Sequence, residues 1–202
     1  MDKTPPQKPR AGVIGTKLCI TTWGDPANWG YAEYELEGGG SAKGFSTLQL
    51  LAETIQCNRI YIITLDTLAN ICTATGYMDV IANAKRYAEN FLCIDAGHPR
   101  IRVITLPGRM TKKEGERRSI FQGSAKDAKL IMLLKLYLDM VGEPTSLREG
   151  NSENSIILDL THGINYLPVI AREVAEEFAA IFSTLRKSVE LTIYNADPYP
   201  QD

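Results

Sequence analysis

Five short runs of aliphatic and β-branched residues punctuate the chain: Lys17–Thr22 (KLCITT), Arg59–Leu65 (RIYIITL), Ile101–Leu106 (IRVITL), Ser155–Leu160 (SIILDL) and Val189–Tyr194 (VELTIY). Most are continuous apolar stretches rather than strict alternations, the pattern of parallel strands covered on both faces. Between them apolar residues recur at helical spacing. Leu48, Leu51, Ala52 and Ile55 predict a helix over Ser46–Gln56, and Val80, Ile81, Ala84, Tyr87, Ala88 and Phe91 predict one over Tyr77–Leu92. Ile170, Val174, Phe178, Ile181 and Leu185 predict another over Tyr166–Leu185, with Asn165 as its N-cap and Pro168 in its first turn. Ala125–Val141, nearly all apolar in its middle, predicts a helix that is deeply buried or shared with a partner chain. Strand alternating with helix gives the α/β class: a doubly wound, mostly parallel Rossmann-like sheet with helices on both faces. Tyr31–Gly40 suggests a small extra strand and a glycine turn, and residues 142–154 a polar surface loop.

Composition narrows this picture. With 202 residues the chain suits one ordinary domain, and a chain of that size buries roughly 70% of its unfolded surface without a disulfide or metal staple. We read residues 1–15 as a flexible arm and 16–202 as one domain. The arm has no apolar signal-peptide core and no apolar run approaches the roughly 18 residues of a membrane span, so a cytoplasmic protein away from membranes is expected. Twenty-two basic residues against 24 acidic ones argue against coating duplex DNA, yet leave room for a small polyanion held by local donors. Cys19, Cys57, Cys72 and Cys93 form no CxxC pair and are read as reduced thiols, most of them in apolar stretches. Two distant histidines, His98 and His162, offer no zinc site, and no cofactor is expected.

In open α/β sheets, ligands bind outside the carboxyl ends of the strands. The first exit is Thr21-Thr22-Trp23-Gly24-Asp25, the second Asp66-Thr67, the third Pro107-Gly108-Arg109 leading to Lys112 and Lys113, and the last Asn195-Ala196-Asp197. The fourth, Thr161-His162-Gly163-Ile164-Asn165, is the sharpest, because the chain leaves a strand, turns at a glycine and opens a helix whose free N–H groups suit an anion. Asp159, inside that strand, reads as buried and paired, holding the turn. Trp23 and Trp29 suit either base stacking or packing, whereas Tyr31 and Tyr34 read as packing. Arg109–Arg118 (RMTKKEGERR) reads as a solvated loop from which one or two cations reach a phosphate. There is no GxGxxG after a strand, no P-loop, no GxSxG elbow and no HExxH.

The segment Asp159–Pro168 (DLTHGINYLP), with TTWGDPANWGYAEY and TIYNADPYP, resembles the CRISPR-associated Rossmann-fold (CARF) sensors of the DxTHG group, from about Leu18 to Pro200. The resemblance implies a homodimer with its two-fold axis over the ligand site and a cyclic oligoadenylate as ligand, cyclic tetra-adenylate favoured. It implies that Thr22, Trp23, Gly24 and Asp25 line one loop and Thr161, His162, Gly163 and Asn165 the other. Longer members of that group carry a C-terminal effector, often a HEPN ribonuclease with an arginine separated from a histidine by four to six residues. Neither His98 nor His162 has such an arginine, so that centre is not expected in this chain, and an effector domain would lie outside it.

Two functions follow as expectations. One is a messenger sensor at the dimer interface, with Thr21, Thr22, Trp23, Gly24, Asp25, Asp66, Thr67, Gly108, Arg109, Thr161, His162, Gly163 and Asn165 as candidate ligand-binding residues. The other is a metal-independent ring nuclease, in which a ribose 2′-hydroxyl attacks the adjacent phosphate and His162 serves as acid or base. A transcription regulator fits less well, since no helix-turn-helix segment or basic face is evident.

Overall fold

The computed structural model describes residues 16–92, 101–141, 154–164, 166–185 and 188–196. The expected arm, most of the polar loop, Cys93, His98, Asn165 and Asp197 lie outside them. Nine strands and three α-helices follow in the order β1 (Lys17–Trp23), β2 (Ala32–Glu35), β3 (Ser41–Gly44), β4 (Arg59–Leu65), α1 (Tyr77–Asn90), β5 (Ile101–Leu106), β6 (Arg109–Glu114), β7 (Arg117–Gln122), α2 (Ala125–Val141), β8 (Asn154–His162), α3 (Leu167–Leu185) and β9 (Val189–Tyr194), among the described residues.

The five apolar runs form one sheet in the order β5-β4-β1-β8-β9, every pair parallel. The two sides of the sheet bury different residues. Leu18, Ile20, Tyr61, Ile63, Ile156 and Leu158 pack with Met132 and Leu136 of α2 and Ile170, Val174 and Phe178 of α3. Cys19, Ile60 and Ile157 pack with Leu51 and Cys57 on the opposite side. Residues on one strand point alternately to the two sides, so a run of consecutive apolar residues serves both cores.

Four expectations change. The segment Ser46–Gln56 forms a short π-helical turn at Leu50–Thr54, closed by Cys57 N–H on Leu51 O and by Gln56 in the left-handed region at φ 59°. The glycine turn at Gly38–Gly40, all three at positive φ, joins two strands, β2 and β3, where one was expected. The charged run Arg109–Arg118 is mostly an antiparallel hairpin, β6–β7, in which Met110 pairs with Phe121 and Thr111 with Ile120. Cys19 and Cys57, buried as expected, are joined as a disulfide, with Cα atoms 6.0 Å apart, while Cys72 is exposed. Helix α2 is buried along Ala128, Met132 and Leu136 and leaves Leu130, Leu134 and Leu138 exposed on its other side. None of the described helices is long and apolar enough to cross a membrane.

Candidate functional site

After β1 the chain moves to β4 on one side, while β8 and β9 lie on the other, so the sheet's topological switch point falls between β1 and β8. Their carboxyl ends are therefore where a crevice for a ligand is expected. Pairing there is irregular: Thr21 faces Asp159, but Trp23 faces His162, which places one extra residue on β8. Gly24 N–H then donates to His162 O at 2.8 Å, locking the two exits side by side.

Asp159 organises this rim. Only 1% exposed, its Oδ2 accepts from Thr21 Oγ1 at 2.7 Å and Thr47 Oγ1 at 2.6 Å. Its Oδ1 accepts from Thr161 Oγ1 at 2.6 Å and Thr161 N–H at 3.1 Å. Four donors satisfy a carboxylate that burial would otherwise penalise. Ala196 N–H after β9 donates to Thr161 Oγ1 at 3.1 Å, tying in the last exit. Thr22 is fully buried and its hydroxyl donates to Asp159 O at 3.4 Å. The hydroxyls of Thr21 and Thr22 are thus turned into the protein. Gly163 sits where an added methyl would collide with Thr22 Oγ1 and the Pro168 ring.

Above this base lies a group of rings. Trp23, 2% exposed, meets Trp29 edge-on with centroids 4.9 Å apart, and Trp29 lies 4.3 Å from the His162 ring at an interplanar angle of 33°. Tyr34, carried on β2, brings its Oη to 3.1 Å from His162 Nε2. Burial lowers the His162 pKa, and the Asp159 charge offsets this only in part. A neutral ring can accept or donate at Nε2 according to its tautomer. Trp23 is thus buried against Trp29, whereas Trp29 presents a partly open ring beside His162. Tyr34 packs as expected and also bonds His162, while Tyr31, expected to pack, is 64% exposed against Phe45. Asp25 Oδ1 caps the Pro26–Asn28 turn through Ala27 N–H and accepts from Tyr87 Oη at 2.8 Å, anchoring the loop to α1.

Asp66, Thr67, Gly108 and Arg109 form a second group at the ends of β4 and β5. Asp66 is 2% exposed, and its Oδ1 accepts from Gly108 N–H at 2.7 Å while its Oδ2 accepts from Tyr77 Oη at 3.1 Å. Burial raises its pKa against the pull of those bonds. Gly108 is required by crowding, since a Cβ there would stand 2.7 Å from Thr67 Cγ2. Arg109 is exposed. Lys112 instead turns back, donating to Ala69 O at 2.7 Å and Thr67 O at 3.3 Å and pairing with Glu114 at 2.9 Å. Tyr166 Oη donates to Pro107 O at 3.2 Å and so joins this group to the His162 loop. Thr47, Tyr77, Tyr87 and Tyr166 were not foreseen as supports. Tyr166 borders the Thr161–Asn165 motif, but the others carry no signal in the spacing.

Among the described residues no group of three His, Cys, Asp or Glu could hold a metal ion. Comparison with known proteins now gives the assembly a lineage. Residues 18–198 match the family model described as the CARF domain of the CRISPR system endoribonuclease Csx1. A "CRISPR system endoribonuclease Csx1" of Methanocaldococcus jannaschii is 30% identical over 185 residues, covering 91% of this chain and 37% of that protein. The chain thus spans little more than a third of the length of that relative. With the family match running from β1 past β9, the chain belongs to the Csx1 CARF-domain family, the CRISPR-associated sensory domains.

Proposed function

We propose that this domain binds a cyclic oligoadenylate, with the four-nucleotide ring preferred, in the crevice at the β1 and β8 exits of a homodimer, and so serves as the sensor of type III CRISPR signalling in the cytoplasm. The observation that carries the reading is the His162–Trp29–Tyr34 ring group, fixed over the Asp159 hub at the switch point of a sheet that matches the family model. Partly open rings suit bases, and the turn at Gly163 leading into α3 suits a phosphate. Two copies related by a two-fold axis match the symmetry of such a ring. The exposed Leu130, Leu134 and Leu138 of α2 supply an apolar stripe for self-association. An effector controlled by the sensor belongs to chain beyond these residues, in keeping with the greater length of the relative.

Titration calorimetry with cyclic tetra- and hexa-adenylate tests this reading, together with sedimentation to establish the dimer. Binding of either ring supports it, and failure of both to bind rejects it. A ring-nuclease activity at the same site is favoured by one observation: His162 Nε2 stands at the crevice 3.1 Å from Tyr34 Oη, where an imidazole can act as acid or base. Linear products ending in a 2′,3′-cyclic phosphate, lost in His162→Ala, would establish it, and intact ring after prolonged incubation would exclude it.

A further inference from the structure

Beside the His162 crevice a cleft of about 470 Å³ opens between the start of α1, the exits of β4 and β5, and the inner side of the β6–β7 hairpin. That volume lies in the range of small-ligand sites. Its walls include Val80, Pro107 and Phe121, all apolar, and its polar features include Asp66 and Tyr77. Asp66 borders this cleft and is 2% exposed in all. It accepts from Gly108 N–H and from Tyr77 Oη, and Thr67 N–H also bonds it. A carboxylate has about four acceptor positions, so one remains after these three. Tyr77 itself is 54% exposed, and its hydroxyl can yield its place on Oδ2 to an incoming donor. A cleft with apolar walls at Val80, Pro107 and Phe121 and a carboxylate acceptor among its lining residues fits a flat ring that carries an N–H donor. The bond from Tyr166 Oη to Pro107 O links one wall residue of this cleft to the segment that follows the His162 loop.

We infer that the cleft is a purine subsite, in which Asp66 accepts from the exocyclic amine of a base between Phe121 and Val80, and so selects 6-amino over 6-oxo purines. The inference rests on the cyclic oligoadenylate reading and adds to it a residue that reads the base. Glycine is required at position 108 on the same grounds, since a side chain there would press on Asp66 Oδ1 at 3.1 Å.

The test compares cyclic tetra-adenylate with cyclic tetra-inosinate, which differs at the 6-position of each base. Wild-type protein is expected to prefer the adenylate ring by at least about tenfold, because a buried acceptor left facing another acceptor is costly. Asp66→Asn keeps an oxygen for Gly108 N–H and turns an amide N–H₂ toward the cleft, so it is expected to abolish or reverse that preference. Val80→Trp, which fills the slot without touching Asp66, is expected to weaken binding of the adenylate ring about tenfold or more, with melting temperature recorded as the control for folding. If the rings bind but neither variant alters affinity or preference, the subsite is wrong and the function stands. If neither ring binds wild-type protein, the function itself fails and the subsite with it.

Discussion

Tyr34 Oη lies 3.1 Å from His162 Nε2, a bond that ties the β2–β3 hairpin to the end of β8 across 128 residues of chain. It brings the hairpin's aromatic residue to the one described histidine at the switch point, and makes the ring's protonation a matter of fold stability as well as chemistry.

The first prediction concerns pH. His162 is held below its ordinary value of 6.5 by burial, so the unfolded chain binds a proton more readily than the folded one. Its stabilising contribution is complete above about 6.5 and is lost as pH falls through the folded value. Urea midpoints measured from roughly pH 7.5 down to 5.5 should fall more steeply for wild-type protein than for His162→Gln. Asp66, raised by burial, acts with the opposite sign, its contribution fading as pH rises through its folded value, so the wild-type-minus-variant difference isolates the histidine. Tyr34→Phe should cost about 1 kcal/mol and should weaken ligand binding with no change in fold. Equal pH slopes in wild type and His162→Gln would show that the ring is not buried as described.

The second prediction concerns Asp159, whose two oxygens hold three threonine hydroxyls and one backbone N–H. Asp159→Ala leaves those donors buried without an acceptor, and should cost about 3 kcal/mol or more in chemical denaturation. Asp159→Asn retains one acceptor oxygen, and the hydroxyls can rotate to meet its amide, so roughly half that loss is expected. Thr47→Val should cost about 1 kcal/mol. A fully stable Asp159→Ala protein would contradict the hub.

The sheet was legible because its strands are buried on both sides and their apolar runs are continuous; four of the five runs differ from the observed strands by at most one residue at an end, and β8 extends further at its carboxyl end. The Asp159 hub was legible for a related reason: a carboxylate between Leu158 and Leu160 in such a run has to be paired. The two hairpins were less so. In β6–β7 the consecutive charges Lys112-Lys113-Glu114 and Arg117-Arg118 look like a charged loop, and only the apolar Met110, Ile120 and Phe121 near the ends of the hairpin depart from that pattern. The Cys19–Cys57 bond was hidden because the contact is made by the short turn at Leu50–Thr54, which returns Cys57 to β1, and a separation of 38 residues carries no such information. Tyr34 was read for packing alone, because nothing local in its sequence announces a bond to a residue 128 positions away.

The third prediction tests the close approach at Gly163. An alanine methyl there would meet Thr22 Oγ1 from β1 and the ring of Pro168 in the first turn of α3. Overpacking of this kind should cost about 1–3 kcal/mol and tilt the entry to α3. Combining Gly163→Ala with Thr22→Ala removes one of the two obstacles, and should recover part of the loss in a double-mutant cycle. Strict additivity of the two changes would show that the residues do not touch.

The last prediction separates two cations that the sequence treats alike. Arg109 stands exposed at the start of β6, close to the cleft, whereas Lys112 is held by the carbonyls of Thr67 and Ala69 and by Glu114. Removing Arg109 should therefore act on a bound polyanion, and removing Lys112 on the protein itself. Arg109→Ala is expected to leave the melting temperature unchanged, to weaken binding of cyclic tetra-adenylate and to flatten the dependence of that binding on salt, as the loss of one phosphate contact does. Lys112→Met should lower stability by about 1–2 kcal/mol, because it frees two carbonyls and Glu114, while leaving the affinity and salt slope of the folded protein intact. Calorimetry at two salt concentrations, with thermal melts of both variants, distinguishes the roles. Should Lys112→Met flatten the salt dependence and Arg109→Ala not, the lysine leaves its carbonyls to meet the ligand, and the assignment of the two cations is reversed.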